Sequence, residues 1–248
     1  MRYFLELAYD GSEFHGWQRQ PNAITVQESI ESALNKILSE DISIVGCGRT
    51  DTGVHASQYF THFDTVADLA DIDLSYKLNA VLPDSIAIYQ TFQVDDEAHA
   101  RFSAIERSYQ YRIIRRKDPF ELPYAWSFYR DLDLEAMASV TKHFIGQKDF
   151  KAFCKQADEK EHHLCDLRKL KINTSEHLIT IDITANRFLR NMVRAIVGTL
   201  VEYGSGKITE KELISIIDSG DRSEAGVSAP AQGLFLSNIS YPKELFSI

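Results

Sequence analysis

The stretch ISIVGCGRTDTGVHASQYFTHFD, residues 42–64, places a glycine-flanked loop between two apolar segments. The segments near 42–47 and 57–64 are predicted to be strands. The loop GRTDTGVHA joins them, so that a short polar sequence is held at both ends by regular structure.

The segments on either side of this hairpin complete a recognisable order. Residues 2–9 alternate as a strand, and Thr25 with Glu28 forms a capping box that opens an amphipathic helix. A short helix near 71–80 and a strand near 85–94 follow. The resulting order β-α-β-β-α-β predicts a ferredoxin-like arrangement.

The second half of the chain is predicted to repeat this order as an internal pseudo-repeat. We therefore predict an α+β fold of two ferredoxin-like subdomains, residues 1–100 and 101–248, forming a mostly antiparallel sheet flanked by helices, with a central cleft. The predicted strands of the second half lie near 108–115, 124–129, 165–174, 178–185 and 233–239, and its predicted helices lie at 133–145, 187–203 and 209–219.

Composition restricts the class of protein. Apolar residues make up 44% of the 248 residues, but no run approaches the length of a membrane span. The N-terminal sequence lacks the features of a secretory signal, and the three cysteines are too few and too scattered for a disulfide framework. These observations predict a cytoplasmic protein.

The charge is unevenly distributed. The formal net charge of −9 argues against a polyanionic partner, yet residues 99–117 carry six basic side chains against one acid. We name this segment the basic band. Its basic members are Arg101, Arg107, Arg112, Arg115, Arg116 and Lys117.

The loop GRTDTGVHA offers Asp51 as a candidate catalytic carboxylate. Arg49 and His55 share the loop, and an arginine near a carboxylate favours its ionised form and can also bind phosphate. The structural alternative is an Asx-type turn, because Asp followed two residues later by Gly is a common turn signal.

A second cluster is the stretch ANRFLRNMVRAIVG, residues 185–198. On a helix, Arg187, Arg190 and Arg194 would recur at i, i+3 and i+7 and share one face. Arg194 would lie at the edge of the apolar stripe, where a partly buried arginine needs an anion. The alternative is a solvated basic face.

Tyr109 and Tyr111 form a third cluster, in a predicted strand next to Arg107. Aromatic side chains beside basic ones suit an unpaired base stacked above a phosphate path, and the alternative for one of the two tyrosines is a core position on a half-buried strand.

The sequence also contains one candidate metal site. Cys154, His162, His163 and Cys165 lie in one polar stretch, but their spacing matches no common zinc pattern, and a charged surface loop is the alternative.

Six motifs along residues 9–242 resemble, in the same order, those of the tRNA pseudouridine synthase A family. They are YDGSEFHGWQRQ, TVQESIESAL, GRTDTGVHA, RFSAIERSYQYRI, ANRFLRNMVRAIVG and APAQGLFLSNISYP. The resemblance implies an isomerase that converts uridine to pseudouridine at positions 38, 39 and 40 of the tRNA anticodon stem-loop. It also implies a homodimer with a two-lobed catalytic fold and no metal or organic cofactor.

The same resemblance implies roles for individual residues. Asp51 corresponds to the catalytic nucleophile, Arg49 to the residue that replaces the extruded base, and Arg194 to the partner of the catalytic carboxylate. Tyr109 corresponds to a tyrosine that contacts the substrate. The clusters described above add Arg107, Arg187, Arg190 and His55 as candidate substrate-binding residues. The chain departs from the family pattern at Thr52, Ala98 and Lys148, none of which is a catalytic group.

Two other classes of function remain open from the residues alone. A non-catalytic RNA-binding module would use the same sheet, tyrosines and basic band, but would not need Asp51. A carboxylate-dependent hydrolase or metal enzyme would need a second acid or ligand near Asp51, and the loop offers no clear candidate.

Overall fold

A computed structural model of the chain describes residues 1–155 and 162–246. Its contacts divide the chain into two compact units. The first unit comprises Met1–Ile105 and the chain from Phe235 onward, and the second comprises Glu106–Leu234.

The first unit has the element order predicted for it, β-α-β-β-α-β. Its elements are β1 (Arg2–Tyr9), α1 (Val26–Leu38), β2 (Val45–Gly46), β3 (His55–Asp64), α2 (Leu74–Asn79) and β4 (Ile86–Val94). Thr25 caps α1 by accepting a hydrogen bond from the Glu28 amide at 3.3 Å, as the capping signal predicts.

The second unit departs from the predicted order. Its elements are β5 (Glu106–Ile114), β6 (Trp126–Ser127), α3 (Leu134–Val140), β7 (Gly146–Asp149), β8 (Leu164–Ser175), β9 (Leu178–Ala185), α4 (Met192–Gly204) and α5 (Glu210–Ser219). A last strand, β10 (Leu234–Ser240), returns to the first unit.

Two features cause that departure. The helix predicted at 133–145 is shorter, because α3 gives way to a 3-10 turn over Thr141–Phe144, and Gly146 then begins β7, a strand that was not predicted. By contrast, α5 begins at the predicted capping box of Thr209 and Glu212 and ends at Gly220, as expected.

The sheet pairings are mostly antiparallel within each unit. In the first unit β1 lies between β3 and β4 in antiparallel register, β2 pairs with β3, and β10 runs parallel to β3 beside its start. In the second unit β9 lies between β5 and β8, β7 extends the sheet from β8, and β6 runs parallel to β5. Across the described residues, no helix is long and apolar enough to span a membrane.

Candidate functional site

The Asp51 loop joins β2 to β3 in the first unit. A turn is closed by the backbone carbonyl of Asp51, which accepts a hydrogen bond from the Val54 amide at 3.1 Å. Within the loop Thr50 is buried, the Asp51 side chain is half-buried and Arg49 is exposed. The loop therefore presents a cation to solvent directly beside a partly shielded carboxylate.

Buried aromatic residues below the loop bind its backbone and side chains. The Thr50 hydroxyl lies 2.8 Å from the Tyr9 hydroxyl, and the Thr50 carbonyl accepts from the Trp17 amide at 3.2 Å. The Tyr59 hydroxyl donates to the Gly48 carbonyl. These bonds hold both residues that flank Arg49, Gly48 and Thr50.

Gly11 lies against the far end of the loop. A Cβ atom at this position would stand 2.1 Å from the Val54 carbonyl oxygen, so that only glycine permits the approach. This contact explains why the Asp10–Gly11 turn after β1 has to end in glycine.

His55 is buried, with 1% of its surface exposed, and its ring stacks on Phe235 at 4.6 Å between centroids. In its neutral form Nδ1 accepts a hydrogen bond from the Gly11 amide at 3.0 Å. When the imidazole is protonated, the same nitrogen can instead donate to the Asp10 carboxylate, which also lies 3.0 Å away. These contacts link the end of the loop to the turn after β1.

The prediction that three arginines share one helical face is wrong for Arg187 and Arg190. Helix α4 begins at Met192, so Arg187 and Arg190 precede it and do not share a helical face with Arg194. Asn191 at the N-cap has a φ of 65°, in the left-handed region, and this conformation prevents the helix from extending toward Arg187.

Arg194 is half-buried in the first turn of α4, as its place beside the apolar stripe predicts. Its Nε donates to the Ala229 carbonyl at 2.7 Å, and the Ala229 amide donates to the Arg194 carbonyl at 2.9 Å. The segment around Ala229 is itself fixed to α4, because the Gly226 amide donates to the Thr199 hydroxyl at 2.9 Å. This backbone contact orients the Arg194 guanidinium.

The other candidate arginines of the second unit have separate surroundings. Arg107 on β5 is half-buried and donates to the Asn186 carbonyl at 3.1 Å. The Arg187 guanidinium lies 3.2 Å from Nε2 of His162. Arg190 is exposed.

The two tyrosines of β5 differ in burial. Tyr111 is fully buried and donates to the Pro230 carbonyl at 2.8 Å, and burial raises the pKa of its hydroxyl, while the charge of Arg194 acts in the opposite direction. Tyr109 is half-buried, with its ring edge-on to Phe188 at 5.0 Å. Tyr111 is thus the core residue foreseen as an alternative, and Tyr109 is the more accessible of the two.

The residues of the metal alternative do not form a ligand set. Cys154, His163 and Cys165 are buried, whereas His162 is exposed. Burial raises the pKa of the Cys165 thiol to about 11, which disfavours the thiolate that a metal needs. Among residues 1–155 and 162–246, no group of three or more His, Cys, Asp or Glu side chains is arranged to hold a metal ion.

Sequence reasoning missed the residues that support the loop and Arg194. Tyr9 and Tyr59 lie in alternating strand patterns and resemble ordinary core residues in the sequence. The stretch around Ala229 carries only the signal of a proline-containing loop, and nothing in it indicates a contact with a helix that lies thirty residues earlier.

Comparisons with known proteins agree on one family of enzymes along the length of the chain. A family model described as tRNA pseudouridine synthase matches residues 140–242. The chain is 43% identical to the tRNA pseudouridine synthase A of Bacteroides thetaiotaomicron, over 99% of this chain and 93% of that protein. It is 43% identical to that of Parabacteroides distasonis, over 100% and 98%, and 44% identical to that of Thermoanaerobacter sp. strain X514, over 96% and 98%.

Proposed function

The chain belongs to the tRNA pseudouridine synthase A family, and we propose that this isomerase of tRNA uridine acts at positions 38, 39 and 40 of the anticodon stem-loop with Asp51 as its nucleophile. The observation that carries the proposal is the loop between β2 and β3. It holds a half-buried carboxylate beside an exposed arginine on a backbone fixed by hydrogen bonds to buried side chains.

The reaction rearranges one nucleotide without net oxidation or hydrolysis. The bond between N1 of uracil and C1′ of ribose breaks, the base turns, and C5 joins C1′. C5 loses its proton and N1 gains one, so the atoms balance without a co-reactant. A carboxylate is sufficient whether it attacks C1′, adds to C6 or removes the proton at C2′, and we assign that step to Asp51.

Arg49 is proposed to act on base extrusion. The target uridine is stacked in the anticodon arm and must leave the stack, at a cost of a few kcal/mol. An exposed guanidinium two residues before the nucleophile can fill the vacated space and contact the neighbouring phosphate.

The remaining candidate residues are proposed to act either on the catalytic carboxylate or on the RNA. Arg194 is proposed to favour the ionised form of the catalytic carboxylate, and Tyr109 to contact the target nucleotide. Arg107, Arg187 and Arg190 are proposed to bind RNA phosphates. His55, being buried, would act on the substrate through the loop that it helps to hold.

Several features of the assembly also remain proposals. They are the pseudo-repeat of two ferredoxin-like subdomains with boundaries at 1–100 and 101–248, the homodimer, the absence of a cofactor, and a cytoplasmic location. The element order of β1 to β4 supports the first of these for the N-terminal part.

Replacement of Asp51 by Asn tests the catalytic assignment. The amide is nearly isosteric but is not a nucleophile, so Asp51→Asn should lower turnover on anticodon-arm RNA by at least about a thousandfold. The fold and the affinity for tRNA should be unchanged. Pseudouridine is mapped by carbodiimide treatment and primer extension at each of the three positions.

Asp41→Asn is the matched control, because Asp41 is an exposed acid just before β2. It should retain full activity. If Asp51→Asn still formed pseudouridine at an appreciable rate, the nucleophile would be misassigned. If neither the wild type nor Asp41→Asn modified RNA that both proteins bind, the RNA-binding module would be the better description.

A further inference from the structure

We propose that the hydroxyl groups of Tyr9 and Tyr59 position Arg49 for extrusion of the target base. The two tyrosines would be positioning residues, since they act through the loop and touch no reacting atom. This inference rests on the proposed function, because it assumes that Arg49 displaces the target base.

The geometry singles out the two residues that flank Arg49 in the chain. On one side, the Gly48 carbonyl accepts a hydrogen bond from the Tyr59 hydroxyl. On the other, the Thr50 hydroxyl lies 2.8 Å from that of Tyr9. The exposed arginine is therefore the one residue between two bonds to the protein interior.

The tyrosines that make these bonds are held firmly. Tyr59 is fully buried, and its ring stacks on Trp17 with 4.0 Å between ring centroids and 26° between planes. The Tyr9 ring lies 5.6 Å from that of Tyr59 and 6.2 Å from that of Trp17. The Trp17 amide adds a third bond, to the Thr50 carbonyl at 3.2 Å. The three rings form one cluster, which we call the aromatic clamp.

The Tyr59 hydroxyl occupies space that the glycine at position 46 leaves open. A Cβ atom at Gly46 would lie 2.1 Å from the Tyr59 oxygen and 2.7 Å from the Trp17 ring. Phenylalanine at position 59 would fill the apolar part of this space as tyrosine does. Tyr59→Phe therefore keeps the apolar ring and removes the hydroxyl together with its bond to the Gly48 carbonyl.

Such a clamp acts on the reaction by preorganisation. Arg49 has to enter the RNA stack as the uridine leaves, and a mobile backbone at Arg49 would have to be ordered in that step. Holding the flanking residues Gly48 and Thr50 before binding lowers that entropic cost. The effect should appear only when the base still has to be extruded.

The test uses single-turnover kinetics on two RNAs. One is a structured anticodon arm, and the other carries a mismatch that leaves the target uridine unstacked. Loss of one neutral hydrogen bond corresponds to a change of about 3- to 10-fold. Tyr59→Phe and Tyr9→Phe should each be slowed by that factor on the structured arm and by less than about twofold on the mismatched RNA. Thr50→Val, which removes the partner of Tyr9, should behave as Tyr9→Phe does.

Two comparisons separate positioning from a purely structural role. Tyr3→Phe is the matched control, because Tyr3 is a buried tyrosine of the same sheet whose hydroxyl lies 3.8 Å from the sulfur of Met1 and makes no recorded bond to the Asp51 loop in the described part of the chain. It should leave both rates unchanged. In an Arg49→Ala background, Tyr59→Phe should cause no further slowing, since the residue through which it acts is absent.

Three results would overturn the inference. They are equal slowing on both RNAs, additive slowing in the Arg49→Ala background, and unchanged amide hydrogen exchange over residues 48–51 in Tyr59→Phe. The exchange measurement needs no catalysis. An inactive wild type would therefore refute the proposed function alone, and exchange would still decide whether the clamp holds the loop.

Discussion

Arg49 and Arg194 are both assigned to the chemistry, yet their surroundings differ. Arg49 is exposed on a loop whose backbone is fixed. Arg194 is half-buried in the first turn of α4, and its Nε is bonded to the Ala229 carbonyl. A side chain that is already ordered suits a permanent electrostatic role, whereas an exposed one can move into the RNA.

This difference predicts separable defects. Arg49→Ala should slow turnover on a structured anticodon arm more than on an RNA whose target uridine is already unstacked, because it removes help with extrusion. Arg194→Ala should slow both RNAs equally, because its proposed role, to keep the catalytic carboxylate ionised, is the same for either substrate. Single-turnover rates of both variants on both RNAs provide the measurement.

Melting temperatures and urea unfolding of the same proteins give a second readout. Arg194→Ala loses a hydrogen bond from a charged donor and should lower the free energy of unfolding by about 2 kcal/mol. Arg49→Ala should leave it unchanged, since the side chain is exposed. Equal sensitivity of the two variants to the mismatch would show that the roles have been divided wrongly.

At the scale of elements, the sequence predicted those strands and helix ends that depend on signals within the element itself. The alternation of residues 2–9 gave β1, and capping sequences gave the starts of α1 and α5, because a cap is satisfied within one turn of its own helix. The predicted start of α4 was wrong, because helical periodicity in the sequence does not reveal the left-handed conformation of Asn191. The side-chain amide of Asn191 instead donates to the Ser228 hydroxyl at 2.6 Å, a tertiary contact.

The candidate site shows the same division. Its charged residues, Asp51 and Arg49, were predicted because a short motif contains them both. The hydroxyls that hold them were not, because Tyr9 and Tyr59 come from two different strands and meet the loop only after the sheet has formed. Support of this kind depends on register, and one chain's sequence does not reveal it.

The segment that follows β4 is held by two histidines, and it should respond to pH. His62 on β3 accepts a hydrogen bond from the Ala100 amide at 3.1 Å, and its ring lies 4.7 Å from that of His99. Burial, and next the charges of Arg2 and His99, lower the pKa of His62 to about 4. His99 accepts from the Arg101 amide at 3.1 Å, and burial lowers its pKa also.

The sign of the effect follows from these shifts. As the pH falls below about 6.5, the His62 imidazole takes up a proton in the unfolded chain. In the folded protein it stays neutral until the pH approaches about 4. The free energy of unfolding should therefore fall between these values, by up to about 3 kcal/mol from His62. Nothing further is lost from this group at lower pH.

Urea unfolding at pH 7, 6, 5 and 4 measures this loss. In His62→Gln an amide oxygen can still accept from Ala100, but the side chain does not titrate, so the variant should lose less stability than the wild type over this range. His15→Gln is the control, because His15 is an exposed histidine of the same unit. Parallel curves for the wild type and His62→Gln would refute the assignment.

At the scale of the whole molecule, a protein whose own formal net charge is −9 has to bind tRNA, which is a polyanion. Long-range attraction cannot supply the affinity, so the contacts must come from local concentrations of positive charge. The basic band of residues 99–117 is one such concentration, and Arg187 and Arg190 are proposed to add to it.

Salt dependence tests this arrangement. Each phosphate contact releases condensed counterions, so the logarithm of the tRNA affinity should fall linearly with the logarithm of salt concentration, by about 0.7 to 0.9 per contact. Arg190→Gln removes an exposed cation and should make the slope shallower by about one. Lys211→Gln, at an exposed position on α5, lowers the net charge equally and should leave the slope unchanged. Affinities from filter binding between 50 and 400 mM salt would separate the two cases, since net charge alone predicts the same change for both variants. A slope near zero, or one that both substitutions alter equally, would contradict binding through local basic clusters.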